Sequence, residues 1–138
     1  MRVLGLDVGS KTIGVAVSDA LLLTAQGVKT IYWDENDMSS ADNELNNLIH
    51  EYEVSKIVIG LPKHMNGSLS ERAIFSERYA NRLKKKFSLP VFLLDERLST
   101  MAANRTLIEA DVSRKGRKKV IDKMAAVLIL QNYLDSQS

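Results

Sequence analysis

Two short apolar runs joined by a tight polar turn constrain this chain most. Val3 to Val8 reads as one strand and Ile13 to Val17 as the next, with Gly9-Ser10-Lys11-Thr12 between them, so the chain opens as a hairpin. The first strand carries one acid, Asp7. A lone carboxylate on a strand that must bury a face is costly unless it is paired or holds a cation. Side chains alternate along a strand, so Asp7 shares a face with Val3 and Gly5, while Leu4, Leu6 and Val8 point the other way. Across the turn, Gly14, Ala16 and Ser18 make a face of small side chains. A carboxylate beside small side chains leaves room for something large, such as a metal ion with a phosphate group. The competing reading is an Asp that caps the hairpin turn.

The rest of the chain alternates strands with helices. A third strand is expected around 25–32 and a first helix at 40–53, where Leu45, Leu48, Ile49 and Tyr52 recur at helical spacing and Ser39 with Asp42 resembles a cap. Lys56 to Gly60 reads as a short buried strand and 62–67 as a loop. Ser68 and Glu71 form a capping box for a helix over 69–86, striped by Phe75, Tyr79, Leu83 and Phe87. Pro90 to Leu94 is another strand, ending in Asp95-Glu96-Arg97, and Ser99 or Thr100 caps a helix reaching about 110. Residues 111–119 lack apolar periodicity and read as a mobile connection into a last helix over 118–134. Two apolar strands separated by a helix signal a parallel pair. The expected fold is therefore α/β, a five-stranded mixed sheet of 3-2-1-4-5 order with helices on both faces. No repeat or linker divides the chain, so a single domain over 1–138 is expected.

Cysteine is absent, which excludes disulfides and thiolate metal sites, and the two histidines, His50 and His64, give no zinc spacing. The longest apolar run, Met124 to Leu130, is too short for a bilayer, and the N-terminal run is interrupted by Asp7 before it could serve as a secretory leader. A cytoplasmic protein without membrane contact is expected. The net charge of +2 conceals a division: residues 1–60 carry 4 basic and 9 acidic side chains, residues 61–138 carry 15 and 8. A basic second half suits a polyanionic partner.

Besides Asp7, acids stand in apolar surroundings at Asp95-Glu96 and at Asp122, which lies early in a helix that is apolar nearly all round. Ala125 and Ala126 follow it, and small residues there let the helix come close to the sheet. Strand alternation sends Asp95 and Glu96 to opposite faces, so only one of them can join Asp7. Hard oxygen ligands without His or Cys select Mg²⁺ or Mn²⁺. A pair of such ions suits phosphodiester cleavage. Arg78 and Arg82 recur with Lys85 and Lys86 on one side of the second helix, and Arg114, Lys115, Arg117, Lys118 and Lys119 precede Asp122. Both groups are candidate contacts to a nucleic-acid backbone. Few aromatics are placed for base stacking, which favours recognition of backbone shape. Trp33 is either a partner contact or a cover for the core.

Four segments, GLDVGSKTIGVAVSD, IVIGLPKHMNG, LLDERLST and KKVIDKMAAVLILQNYL, together resemble the YqgF (RuvX) family over Arg2 to about Leu134. The resemblance implies a ribonuclease H-like fold and a nuclease. That family is described as Holliday junction resolvase-like and, more usually, as maturing the 5′ end of pre-16S rRNA. It also implies a catalytic, metal-holding set of Asp7, Glu96 (or Asp95) and Asp122 around Mg²⁺ or Mn²⁺. Pre-rRNA is then the favoured partner and branched DNA the alternative, with the protein a monomer or homodimer. This chain departs from related enzymes at two positions. It has Gly60-Leu61-Pro62 where others end the fourth strand in an acid, and Ala125 where RuvC-type resolvases carry a second helix acid. Those departures keep a third reading in play, a non-catalytic factor that binds rRNA or the transcription machinery. The Asp-Val-Gly-Ser-Lys hairpin also resembles the phosphate loop of actin-like sugar kinases, but those need two such domains and a longer chain.

Overall fold

The computed structural model describes residues 1–61, 71–95 and 114–137, with the backbone alone over 114–123. Strands β1 (Arg2–Val8), β2 (Thr12–Ser18) and β3 (Ala25–Tyr32) form a meander. A 3-10 turn at Met38–Ala41 leads into α1 (Asp42–Glu51), then β4 (Val54–Leu61), α2 (Glu71–Phe87), β5 (Val91–Asp95) and α3 (Arg114–Ser136). The strands assemble into one sheet of order β3-β2-β1-β4-β5, as the hairpin and the later parallel pair require. β1 pairs antiparallel with β2 and parallel with β4, and β5 runs parallel beside β4.

Strand alternation divides the interior into two cores. Leu4, Leu6, Ile13, Val15, Ile57 and Ile59 face α1 and α2 and pack with Leu45, Leu48, Tyr79 and Leu83. Trp33 belongs to this core: its ring stands 4.9 Å from that of Tyr79 and 6.0 Å from that of Phe75. Its covering role, one of the two readings left open by the sequence, is the one realised. On the opposite face, Val3, Ala16 and Val58 are set against Ala126, Ile129, Leu130 and Leu134 of α3. Gln131 pins that helix to the connection between β2 and β3, donating from Nε2 to Leu23 O at 3.0 Å and accepting from Ala25 N at 3.0 Å.

Three local expectations need correction. The cap at residues 38–41 is Asp37, whose carboxylate accepts from Ser39 N at 3.1 Å, and α1 follows without a side-chain cap. β4 begins at Val54, two residues before the expected Lys56, because Val54 pairs with Arg2 across an irregularity at Ser55. The last helix starts at Arg114, so Arg114 to Lys119 are helical and not a mobile connection. Lysine and arginine are good helix formers, and a lone Gly116 costs only about 1 kcal/mol. Missing apolar periodicity reports on packing, not on backbone state. The expected cap Ser68, the loop 62–67 and the helix after Ser99 lie outside the described residues.

α3 sits so low on the sheet that a Cβ on Gly5 would come within 2.7 Å of Leu130 Cβ and 3.2 Å of Ala126 O. Neither atom is the end of a flexible side chain, so the helix itself would have to lift. Gly5→Ala should therefore destabilise the fold by about 1–3 kcal/mol, the usual cost of overpacking, measured by urea denaturation.

Candidate active site

Asp7 is half-buried near the end of β1, and its alternation with Val3 and Gly5 puts it on the α3 face. Its cross-strand partner in β2 is Gly14. On the other side Leu6 pairs with Ile59, so the same register carried one residue further sets Asp7 beside Gly60. The acid thus has a residue without a side chain on each flank. Gly60, where the sequence departs from the usual fourth-strand acid, widens the space over Asp7.

The backbone just beyond Asp7 is held from several directions. Arg72 Nη2 donates to Val8 O at 3.2 Å, and Trp33 Nε1 donates to Gly9 O at 3.0 Å. Trp33 N donates to Lys11 O at 3.0 Å, and Gly9 N to Thr12 O at 2.9 Å. Sequence reasoning passed over Arg72, although its spacing to Phe75 is a usable signal: an Arg three residues before an aromatic on a helix can lie over the ring. Here the guanidinium is 4.7 Å from the Phe75 centroid.

The direction of α3 follows from its contacts with β1. Val3 groups with Leu134, and Gly5 lies under Leu130 and Ala126. The helix therefore runs antiparallel to β1, its earlier residues lying toward Asp7. Four helical residues advance about 6 Å, close to the roughly 6.6 Å of two strand residues. Carried on from Val3 with Leu134 and Gly5 with Leu130, the same step sets Ala126 level with Asp7 and position 122 one turn further on, over the turn that follows β1. The side chain of Asp122 lies outside the described set.

Successive side chains of β5 alternate between the two cores. Val91 packs into the α1–α2 core, whereas Phe92 stacks on Tyr133 of α3 and Leu94 packs into the α3 core. Asp95 accordingly falls on the α1–α2 face, paired in register with buried Leu61. The structure does not bring Asp95 onto the face of Asp7. Glu96 lies outside the described residues. Among the described residues no three His, Cys, Asp or Glu side chains gather as a metal site; Glu96 and the side chain of Asp122 lie outside that set. Asp7 alone supplies the hard oxygen donor and space between glycines that suit a small divalent ion.

The basic candidates divide in the same way. Arg82 forms a two-pronged bond to Asp42, Nη1 to Oδ1 at 2.7 Å and Nη2 to Oδ2 at 2.6 Å, tying α2 to α1. Hydrogen bonding to that carboxylate pushes the Arg82 pKa up further. It serves as a clamp between helices and not as an open phosphate contact. The helical spacing that selected it also fits a partner on α1, which the sequence could not reveal. Arg78 is exposed on α2, on the layer away from the Asp7 face. Arg114, Lys115, Arg117, Lys118 and Lys119 occupy the opening turns of α3, just before position 122.

A meander and a parallel pair in 3-2-1-4-5 order, closed on one face by the final helix, are the ribonuclease H-like fold. Solved structures share this fold. Thermus thermophilus RuvC in complex with a Holliday junction substrate aligns with a TM-score of 0.60 at 12% identity, covering 99% of this chain and 95% of that one. The fowlpox virus resolvase with Holliday junction DNA aligns with a TM-score of 0.56 at 12% identity, covering 99% of both chains. The chain belongs to the RuvX family, described as Holliday junction resolvase, which matches residues 1–136. Relatives named "Putative pre-16S rRNA nuclease" include one from Oceanobacillus iheyensis, 68% identical across 99% of this chain and 100% of its own. Others come from a Geobacillus species, 63% identical over 99% of both chains, and from Listeria monocytogenes, 60% identical over 99% of both.

The opposed faces of β5 generate a direct test. In a Mn²⁺-supported cleavage assay, Glu96→Gln should lose more than about a hundredfold in rate, beyond the 10–100-fold typical of outer partners of a metal ligand. Asp95→Asn should retain activity near that of the parent.

Proposed function

We propose that this protein is a divalent-metal-dependent nuclease that matures the 5′ end of pre-16S rRNA, acting in the cytoplasm. The observation that carries this reading is the position of Asp7, flanked by glycines on the face over which α3 runs toward it, in a chain whose close relatives bear that name. Asp7, Glu96 and Asp122 are the residues that would hold Mg²⁺ or Mn²⁺. When bound, such an ion polarises a phosphoryl oxygen and lowers the pKa of water. Asp7 contributes a fixed carboxylate on a strand rather than on a loop, which limits its movement during the reaction. Asp95 is left out of the set because its strand position faces the other core.

Arg114, Lys115, Arg117, Lys118 and Lys119 would neutralise phosphates on either side of the scissile one. Their helical setting supports this role, since a helix presents charges at fixed spacing. Arg78 serves a longer substrate that reaches around to α2. A second reading, cleavage of branched DNA, draws on the family description and on the junction-bound neighbours. Symmetric cutting of a junction needs two such sites, so a monomer in solution would count against it.

Cleavage of a pre-16S 5′ precursor RNA by purified protein, with Asp7→Asn as the partner variant, tests the proposal. The variant should keep the fold and lose metal-dependent hydrolysis, because the amide retains the shape without the charge. Its melting temperature should equal or exceed that of the parent, as is common when a strained site is neutralised. Full activity in Asp7→Asn would overturn the assignment. Separately, replacing Arg114, Lys115 and Arg117 together by Gln keeps helix propensity while removing charge. RNA affinity should then fall across sequences, and the log–log salt slope should flatten by about 0.7–0.9 per lost phosphate contact, as read by fluorescence anisotropy at several salt concentrations.

A further inference from the structure

Arg72 makes more contacts around the end of β1 than a surface arginine on a helix's first turn needs. Its guanidinium donates through Nη2 to Val8 O at 3.2 Å, pairs through Nη1 with Glu35, and lies 4.7 Å from the Phe75 centroid. Val8 is the residue immediately after Asp7. Glu35 stands two residues beyond Trp33, whose own Nε1 holds Gly9 O. One side chain of α2 thereby joins the strand end that carries the acid to the segment that follows β3.

We propose that Arg72, oriented by Glu35 and Phe75, is a positioning residue for the metal-holding carboxylate of Asp7. The inference rests on the nuclease reading above and deepens it by naming what fixes that acid. The Arg72 and Glu35 side chains are 37% and 31% exposed, and an ion pair so open to solvent adds little to stability. Its geometric effect is larger. A planar guanidinium with two bonded partners and a ring beneath it has little freedom left, so it fixes the Val8 carbonyl. That carbonyl belongs to the Val8–Gly9 peptide plane, the next one after the two planes that flank Asp7, so holding it restrains the strand end from which Asp7 projects. Displacement of a reacting group by about 1 Å can cost a hundredfold in rate, so a restraint at this point acts on catalysis more than on folding.

The same helix supplies an internal control. Arg82 makes a comparable pair with Asp42, yet it ties α2 to α1 on the layer away from Asp7. Asp42→Ala should lower the melting temperature and leave turnover per folded molecule as it was. Arg72→Ala should instead speed amide hydrogen exchange at Gly9 and its turn neighbours and lower kcat about tenfold. The Mn²⁺ concentration for half-saturation, measured by calorimetry, should rise by about 10–100-fold, the effect of losing an outer partner of a metal ligand. KM for RNA should stay within about twofold, since Arg72 acts through Val8 and not on substrate. Arg72→Lys should recover part of both losses, because an ammonium can reach one acceptor but cannot reproduce the fork.

Unchanged turn exchange and unchanged Mn²⁺ half-saturation in Arg72→Ala would overturn the proposal. So would exchange that rises throughout the sheet in step with a lowered melting temperature, which would make the contact one of stability alone. Full activity in Asp7→Asn would overturn the nuclease assignment of Asp7 instead, and turn exchange in Arg72→Ala would still decide whether Arg72 holds the strand end.

Discussion

The contact of α3 with β1 at Gly5 governs how this molecule is arranged. Leu130 Cβ and the Ala126 carbonyl occupy the space that any side chain at residue 5 would fill. The helix can lie this low only because its sheet-facing positions include Ala125 and Ala126, and because Gly14 and Ala16 line the neighbouring strand. Small residues on both surfaces exchange side-chain volume for proximity, and the loss of apolar area is offset by close packing. Proximity also determines the site. With the helix pressed onto β1, its axis is committed to run over Val3, Gly5 and the level of Asp7 in turn. A helix standing at the usual distance on large side chains would not be held in this register against the strand that carries the acid.

The other layer has a different task. Among the described residues, the core beneath α1 and α2 holds most of the largest buried side chains, among them Tyr79, Leu45 and Leu83. Burial also raises the Tyr79 hydroxyl pKa well above its ordinary value, so the ring stays neutral within that core. From this side Trp33 and Arg72 reach through to the carbonyls of Gly9 and Val8. The heavy core thus anchors the strand end whose acid points to the opposite face. Stability and chemistry are divided between the two faces of one sheet, and the turn after Asp7 is where they meet.

The strands were legible because their signals are local. Alternation around Asp7, the four-residue turn and the short apolar runs near 57–60 and 91–94 each report on neighbouring residues, and the strand order follows from them with few alternatives. The two faces of β5 were legible for the same reason. Alternation could not say which of Asp95 and Glu96 shares the face of α3, and only the resemblance favoured Glu96; Phe92 and Leu94 against that helix put Asp95 on the other face. Arg82 was misread because a basic residue at helical spacing has the same pattern whether its partner is a phosphate or Asp42, 40 positions away in the chain. Arg114 to Lys119 were misread because a helix that lacks an apolar stripe leaves little trace in hydropathy.

By itself, then, the sequence determined the element types, the mixed sheet, the family and the residue types able to hold a hard divalent ion. These depend on period, composition and short-range motif. Only the tertiary structure decided that Asp95 falls on the face away from α3, that Arg82 is a clamp, and that Arg72 holds Val8. Each of those is a relation between residues far apart in sequence. Such relations are set by how two packed surfaces fit, a property that no single segment carries.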